Sequence, residues 1–473
     1  MVVGGITIFG ALLRLYHLGF KPLWLDEAVL YWISNSNNMQ NVIANNASSN
    51  SAPPLFAILI NFILKIGDSE TVLRSLSWMG GVAAIPAIYF LSKQFFDNIP
   101  AYFSTLLVAI ALTQIEYSQQ LREYSLTFLI ATIILTFFYK QVRHPTWYDL
   151  ALMTVAMVIG IFLQYGLALL IIALDMVCVI VFLCDKENRR LLLLRWGISQ
   201  FIVLCAVIAV YFLSLRQQMT VGFGATSKIV YLSDAYWNGS IRSLLNFAIS
   251  NMRNILDFTF SGELFIFVVV IGLIFILRDR NNYIALLMFA FPTILTFVLA
   301  CARLYPYQGA RQDIFLTPMI YLLCGFGFYY LLKIVQLRWI IFLILLFIIM
   351  FGSKPTIDYL NNTGAENIRP VVATLSNDYE VGDKIYVYYS AKPAFTYYYK
   401  DNIDYQIYGT NNRGNPNAYY QEIDNLLSSN NRIWMVFSHC FANECELIPK
   451  YISENHKIDL ITRSTGTWLY LVH

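Results

Sequence analysis

Long apolar runs separated by short polar connectors occupy the chain as far as about residue 352 of 473. Runs at 1–17, 72–92, 101–116, 125–139, 148–165, 167–184, 196–214, 262–277, 282–300, 314–332 and 338–352 approach the roughly 17–25 residues that cross a bilayer as helix, so the pattern predicts about eleven transmembrane helices. The first run, Met1 to Leu13, reaches spanning length only when extended through Tyr16, and it lacks the basic region and cleavage site of a secretory leader. Basic residues cluster on alternate connectors: Lys93, Lys140 with Arg143, Lys186 to Arg195, Arg278 with Arg280, and Lys333 with Arg338. Lys and Arg in short loops favour the cytoplasmic side, so the N-terminus is expected inside and the C-terminus outside.

That orientation sorts the polar segments. Residues 18–71 form the first outer loop, and its apolar stretch 53–65 is too short to span and reads as a helix lying in the interface. Further outer loops are expected near 116–124, 164–166, 215–261 and 303–313. From about residue 353 the runs shorten. Residues 385–389, 433–437 and 468–472 read as buried strands and 419–427 as a helix. The expected architecture is therefore a polytopic α-helical membrane domain, 1–352, followed by an extracytoplasmic α/β domain, 353–473.

Composition agrees. The chain is 58% hydrophobic and only 13% charged, against roughly 25% charged residues in soluble domains. This is the balance of an integral membrane protein whose first partner is the lipid bilayer. A net charge of +3 gives no electrostatic footing for nucleic acid. Of the seven cysteines, five fall in or beside apolar helices and are expected to be inert. Cys440 and Cys445 lie in the polar C-terminal region, where a disulfide is expected if that region is outside the cytoplasm. Their spacing beside His439 lacks the second ligand pair of a zinc site.

Charged residues in so apolar a chain mark candidate chemistry. Leu23-Trp24-Leu25-Asp26-Glu27-Ala28 places two adjacent carboxylates just past the first apolar run. One can accept a proton while its neighbour orients a ligand. The pair can also hold a divalent cation, but no further ligand set is evident and no cofactor is otherwise implied. In the loop 116–124, Glu116, Gln120 and Glu123 would share a helical face with Arg122 beside them, and the guanidinium suits a phosphate. In 303–313, Arg303, Tyr305, Tyr307, Gly309 and Arg311 offer donors for a phosphate or a sugar. His17 and Lys21 flank the acidic pair.

Taken in order, these motifs resemble the GT-C class of polytopic membrane glycosyltransferases, and within it bacterial enzymes similar to protein O-mannosyltransferases and the aminoarabinose transferase of lipid A. The likeness is carried by Arg14-Leu15-Tyr16-His17-Leu18-Gly19 leading into the acidic motif, and by Ala52-Pro53-Pro54-Leu55. It continues through Ser69-Glu70 with Leu73-Arg74, Tyr117-Ser118-Gln119-Gln120-Leu121-Arg122-Glu123-Tyr124, and Tyr305-Pro306-Tyr307 with Gly309 and Arg311. Arg369-Pro370, Gly382-Asp383 and Tyr386-Val387-Tyr388 resemble the start of the outer domain in these proteins. One departure stands out: many such enzymes carry an acid where this chain has Gln120, leaving Glu116 and Glu123 as the nearest substitutes.

The resemblance implies transfer of a monosaccharide from a polyprenyl-phosphate donor to a lipid, glycan or protein hydroxyl on the non-cytoplasmic face of a bacterial inner or plasma membrane. In that scheme Asp26 is the general base of an inverting displacement and Glu27 orients the acceptor or its own helix. Arg122, Arg311 and Lys21 stabilise the departing lipid phosphate. Tyr117, Gln120, Glu116, Glu123 and Tyr307 contact sugar or acceptor. Two alternatives stay open, a glycan polymerase or ligase using a diphosphate-linked donor and a lipid-linked sugar flippase or transporter. The transporter would call for inverted repeats and broken midplane helices bearing charges.

Overall fold

The computed structural model describes residues 1–184, 189–220, 232–239, 241–262, 264–278, 283–334, 354–400, 406–428 and 432–473. The chain divides into two compact units, Met1–Leu18 with Asn37–Leu360, and Gly19–Ser36 with Asn361–His473. The segment that carries the acidic motif thus groups with the C-terminal unit, although it lies in the first loop of the sequence.

The larger unit is helical. It contains α1 (Val2–Leu15), and, after α2 (Leu25–Ser34) of the other unit, α3 (Met39–Ser49), α4 (Leu55–Ile63), α5 (Glu70–Lys93), α6 (Asn98–Ile110), α7 (Leu112–Ser118), α8 (Tyr124–Arg143), α9 (Trp147–Leu163) and α10 (Gly166–Cys184). It continues through α11 (Arg189–Val210), α12 (Arg216–Thr220), α13 (Ile241–Phe260), α14 (Leu264–Arg278), α15 (Tyr283–Cys301) and α16 (Thr317–Ile334). Helix occupies each of the first ten expected spans, and the eleventh, 338–352, lies outside the described residues. Among the described residues six helices are long and apolar enough to cross a membrane, or eight if each of two bent pairs is one span. The nine residues of α4 are too few to cross.

Two expectations need correction. The run 101–116 is not one helix: α6 ends at Ile110, Ala111 is extended, and α7 departs at 53°. The stretch 215–261 is not all loop, since α13 fills its second half. Its apolar residues alternate with Arg, Asn and Ser at helical spacing, so mean polarity concealed a strongly amphipathic helix.

The break between α6 and α7 leaves carbonyls without intrahelical partners, and they are met by Arg14 from α1. Its guanidinium donates to the carbonyls of Val108 (2.7 Å), Ala109 (2.7 Å) and Gly10 (3.0 Å) and to Ser118 Oγ (3.1 Å). It is fully buried. A cation at a helix C-terminus also complements the helix dipole. Elsewhere α14 and α16 approach closely enough that a Cβ on Gly327 would sit 2.0 Å from the Val268 carbonyl oxygen, a small-residue contact suited to helices in lipid.

The loop before α16 is built around Asp313. One of its carboxylate oxygens accepts the backbone N–H groups of Gln308 (3.2 Å), Gly309 (3.0 Å) and Ala310 (3.4 Å). Gly309 takes φ of +71°, and a Cβ there would lie 2.3 Å from the Asn254 carbonyl carbon.

The smaller unit is an α/β sandwich. Strands β1 (Lys384–Val387), β2 (Gln406–Tyr408), β3 (Ile433–Ser438), β4 (Ile458–Ser464) and β5 (Thr467–Val472) form one sheet in the order β2-β1-β3-β5-β4. The β1 strand runs parallel to β2 and β3, whereas β5 is antiparallel to β3 and β4. Helices α17 (Arg369–Asp378), α18 (Lys392–Tyr398), α19 (Pro416–Leu427) and α20 (Glu444–Ser453) complete it. Every residue of β3 is buried, as a central strand covered on both faces should be. The two strands not expected from sequence are the sheet edges: β2 has three residues and β4 little burial, so neither shows a hydrophobic signature. Cys440 and Cys445 are joined by a disulfide that ties the end of β3 to α20.

Replacing Arg14 with Met should lower the melting temperature of the purified protein by about 5 °C or more, because each buried carbonyl left unsatisfied costs about 1–3 kcal/mol. Gly309→Ala should also destabilise, by about 1–3 kcal/mol for the forced backbone conformation alone. Gly4→Ala, with nothing within 4 Å of the added Cβ, serves as the neutral control.

Candidate functional site

The acidic motif opens α2. Trp24 supplies no side-chain cap, and Asp26 and Glu27 occupy the first turn, where carboxylates complement the positive end of the helix dipole. Glu27 is buried and Asp26 half-buried. The C-terminal unit holds the approach to this helix at three points. Arg369 donates to the carbonyls of Phe20 (2.8 Å) and Gly19 (3.4 Å), the Tyr398 hydroxyl accepts the Leu23 N–H (2.8 Å), and Glu366 Oε2 accepts the Leu25 N–H (3.2 Å). Helix α2 packs on α18, with Tyr31 edge-on to Tyr397 at 4.7 Å. Lys21 lies beside Gly364 in the same unit.

Glu366 also hydrogen-bonds through Oε1 to His439 Nδ1. His439 follows β3 and takes φ of +50°, a left-handed conformation uncommon for so large a residue. Its partial burial opposes protonation, but the hydrogen bond to Glu366 and the charges of Glu366 and Asp26 outweigh that burial and the nearby Arg413. The imidazole pKa therefore stands above the usual histidine value.

The basic candidates belong to the larger unit. Helix α7 ends at Ser118, so the expected common face breaks up. Gln120 donates to Glu116 (3.0 Å), as anticipated for residues four apart, but Glu123 turns to Arg122, its carboxylate 3.3 Å from Nε. Arg122 Nη2 reaches the Tyr124 hydroxyl at 3.1 Å, and its guanidinium lies 5.3 Å from the centre of that ring. The Arg311 guanidinium lies 5.9 Å from the same ring. Two arginines 189 positions apart in the chain thus meet on one buried tyrosine, and Tyr117 packs edge-on against it at 5.0 Å. Arg311, Tyr117, Glu116 and Gln120 are half-buried, whereas Arg122 and Glu123 are buried. Tyr307 departs from expectation: it is 2% exposed and packs edge-on against Phe297 at 6.0 Å, which makes it core rather than a sugar contact.

Several residues that build these contacts have no distinct role legible in the sequence. Tyr124 lay inside a recognised motif, yet only the fold shows that it gathers both arginines. Arg14 was visible as the charge ending an apolar helix, which is the usual signal of an interface anchor. Glu366 carried no signal at all. His439 stands out in the sequence only as a neighbour of Cys440. Among the described residues no group of three or more His, Cys, Asp or Glu side chains is placed to hold a metal ion.

Residues 51–232 match the family model described as dolichyl-phosphate-mannose-protein mannosyltransferase. No curated protein sequence matches the chain. Among solved structures, ArnT from Cupriavidus metallidurans bound to undecaprenyl phosphate aligns with a TM-score of 0.63 at 12% identity, over 100% of this chain and 98% of that one. The oligosaccharyltransferase of Archaeoglobus fulgidus, solved with Zn and sulfate, aligns with a TM-score of 0.52 at 11% identity, over 99% of this chain and 73% of that one. AglB from the same organism, in complex with an inhibitory peptide and a dolichol-phosphate, also gives 0.52 at 11% identity, over 99% and 74%. At such identities the likeness is one of fold. The chain therefore has the fold of the GT-C class of polytopic membrane glycosyltransferases, with a mannosyltransferase family model running through residues 51–232.

Proposed function

We propose that the protein is an inverting glycosyltransferase that moves a monosaccharide from a polyprenyl phosphate to a hydroxyl of a lipid, glycan or protein acceptor on the non-cytoplasmic side of the membrane. The observation that carries this reading is the meeting of Arg122 and Arg311 on Tyr124, in a chain whose fold is shared with proteins solved with undecaprenyl phosphate and dolichol-phosphate. Two guanidinium groups gathered on one ring bring their donors together, and guanidinium matches the oxygens of a phosphate.

The chemistry needs two things from the protein. The acceptor oxygen attacks the anomeric carbon, the bond from that carbon to the carrier's phosphate oxygen breaks, and the hydroxyl proton passes to Asp26. The carrier leaves as a monophosphate with one more negative charge, which Arg311 and Arg122 stabilise. Lys21 and Glu27 act as auxiliary phosphate and acceptor contacts, and Glu116, Gln120 and Tyr117 border the arginines as candidate sugar contacts. Glu123 is the counter-ion of Arg122.

The test is sugar release from a panel of undecaprenyl-phosphate monosaccharides by purified protein, with and without EDTA. One donor should be consumed. Asp26→Asn should lower turnover about 10²–10⁴-fold, with a melting temperature close to that of the unaltered protein. Arg311→Gln should raise the donor KM about tenfold, the equivalent of roughly 1.4 kcal/mol. Undiminished transfer by Asp26→Asn would remove it as the base. Binding of a diphosphate-linked glycan with no monophosphate donor consumed would favour a polymerase or ligase. Loss of activity in EDTA would assign the acidic pair to a divalent cation.

A further inference from the structure

We propose that Glu366 and His439 are positioning residues that clamp the first turn of α2 and set the charge around Asp26; the inference rests on the reading of Asp26 as the base. The first N–H groups of a helix lack intrahelical partners, and Trp24 gives no side-chain cap. Glu366, from a segment more than 300 residues away, supplies one by accepting the Leu25 N–H. Its other oxygen is taken by His439 Nδ1. One carboxylate thus joins the residue before Asp26 to a histidine at the end of the central strand.

His439 is itself fixed. The Ser390 hydroxyl donates to its carbonyl at 2.8 Å, the following residue is disulfide-bonded, and its backbone is held at φ +50°. Strained residues of this kind persist where the surroundings over-determine them, and they concentrate at functional sites. The electrostatics give the arrangement a purpose. Glu366 alone would add a third carboxylate to the acidic pair of Asp26 and Glu27. His439, hydrogen-bonded to Glu366 and within reach of the Asp26 charge, offsets that repulsion whenever it is protonated, with Arg413 as the other charged group that acts on the imidazole.

The full-length protein provides three readouts. In hydrogen–deuterium exchange, Glu366→Ala should speed exchange over 23–34 about tenfold relative to the unaltered protein. Glu366→Gln, whose amide oxygen can still accept the Leu25 N–H, should restore protection but leave turnover of the consumed undecaprenyl-phosphate donor about tenfold low with KM unchanged. The third readout is thermal melting. A histidine whose pKa is raised on folding stabilises while protonated, fully below the unfolded value near 6.5, and that contribution is lost as the pH rises through the folded value. The melting-temperature gap between the unaltered protein and His439→Gln should therefore be widest near pH 6 and narrow by about pH 9. Unchanged exchange in Glu366→Ala, full turnover in Glu366→Gln, or a gap independent of pH would each overturn the clamp. If the unaltered protein consumes no polyprenyl-phosphate donor, the glycosyl-transfer reading fails, while exchange and melting still decide the clamp.

Discussion

A peptide carbonyl freed inside an apolar bundle has no water to turn to, and each one left unpaired costs more than most side-chain contacts return. The bend between α6 and α7 frees such groups, and Arg14 meets two of them, Val108 and Ala109, while also donating to the Gly10 carbonyl and Ser118 Oγ. The rest of the basic cluster depends on that solution. With α7 fixed, Gln119 donates back to the carbonyls of Arg14 (3.1 Å) and Tyr16 (2.7 Å), and Ser77 donates to the Arg122 carbonyl at 2.9 Å. The loop that presents Arg122 is thus anchored through its backbone by neighbouring helices, and its guanidinium is left to the partners of the cluster.

The acidic residues divide by what surrounds them. Asp313 is an internal strut, spent on three backbone N–H groups of its own loop. Glu123 balances Arg122, and Glu366 caps a helix that it does not belong to. A buried carboxylate with such commitments cannot leave them for a substrate without costing the fold its pairing. Asp26 is half-buried in the first turn of a helix. That setting is what the proposed role of proton acceptor requires.

The legibility of these features in the sequence follows their range of interaction. Spans such as 72–92 and 167–184 announce themselves because a lipid-facing helix must be apolar throughout its length. The central strand 433–437 does so because both its faces are covered. The acidic pair stood out against the same background. What stayed hidden depends on tertiary contacts between distant positions: Arg14 with the carbonyls of 108 and 109, Arg311 with Tyr124, and Glu366 with Leu25 and His439. None of these pairs has a local spacing rule. The amphipathic α13 was concealed differently, since averaging over a half-polar helix gives the hydropathy of a loop. The edge strands β2 and β4 lacked any hydrophobic period to detect.

In open α/β sheets the carboxyl ends of parallel strands are where functional side chains collect and where ligands bind. The smaller unit follows this rule with an unusual occupant. Just beyond the ends of the parallel neighbours β1 and β3 come Ser390 and His439, the Ser390 hydroxyl donating to the carbonyls of Ser438 and His439. Helix α2 packs on α18, which directly follows β1, and reaches His439 through Glu366. The crest that would elsewhere cradle a free ligand here receives a segment of the same chain, one that carries the acidic motif. A sheet is a stiffer support than a loop tethered only at its ends. Fixing α2 to it gives Asp26 the definition of a residue on a secondary-structure element, while leaving its sequence position in a connector between membrane helices.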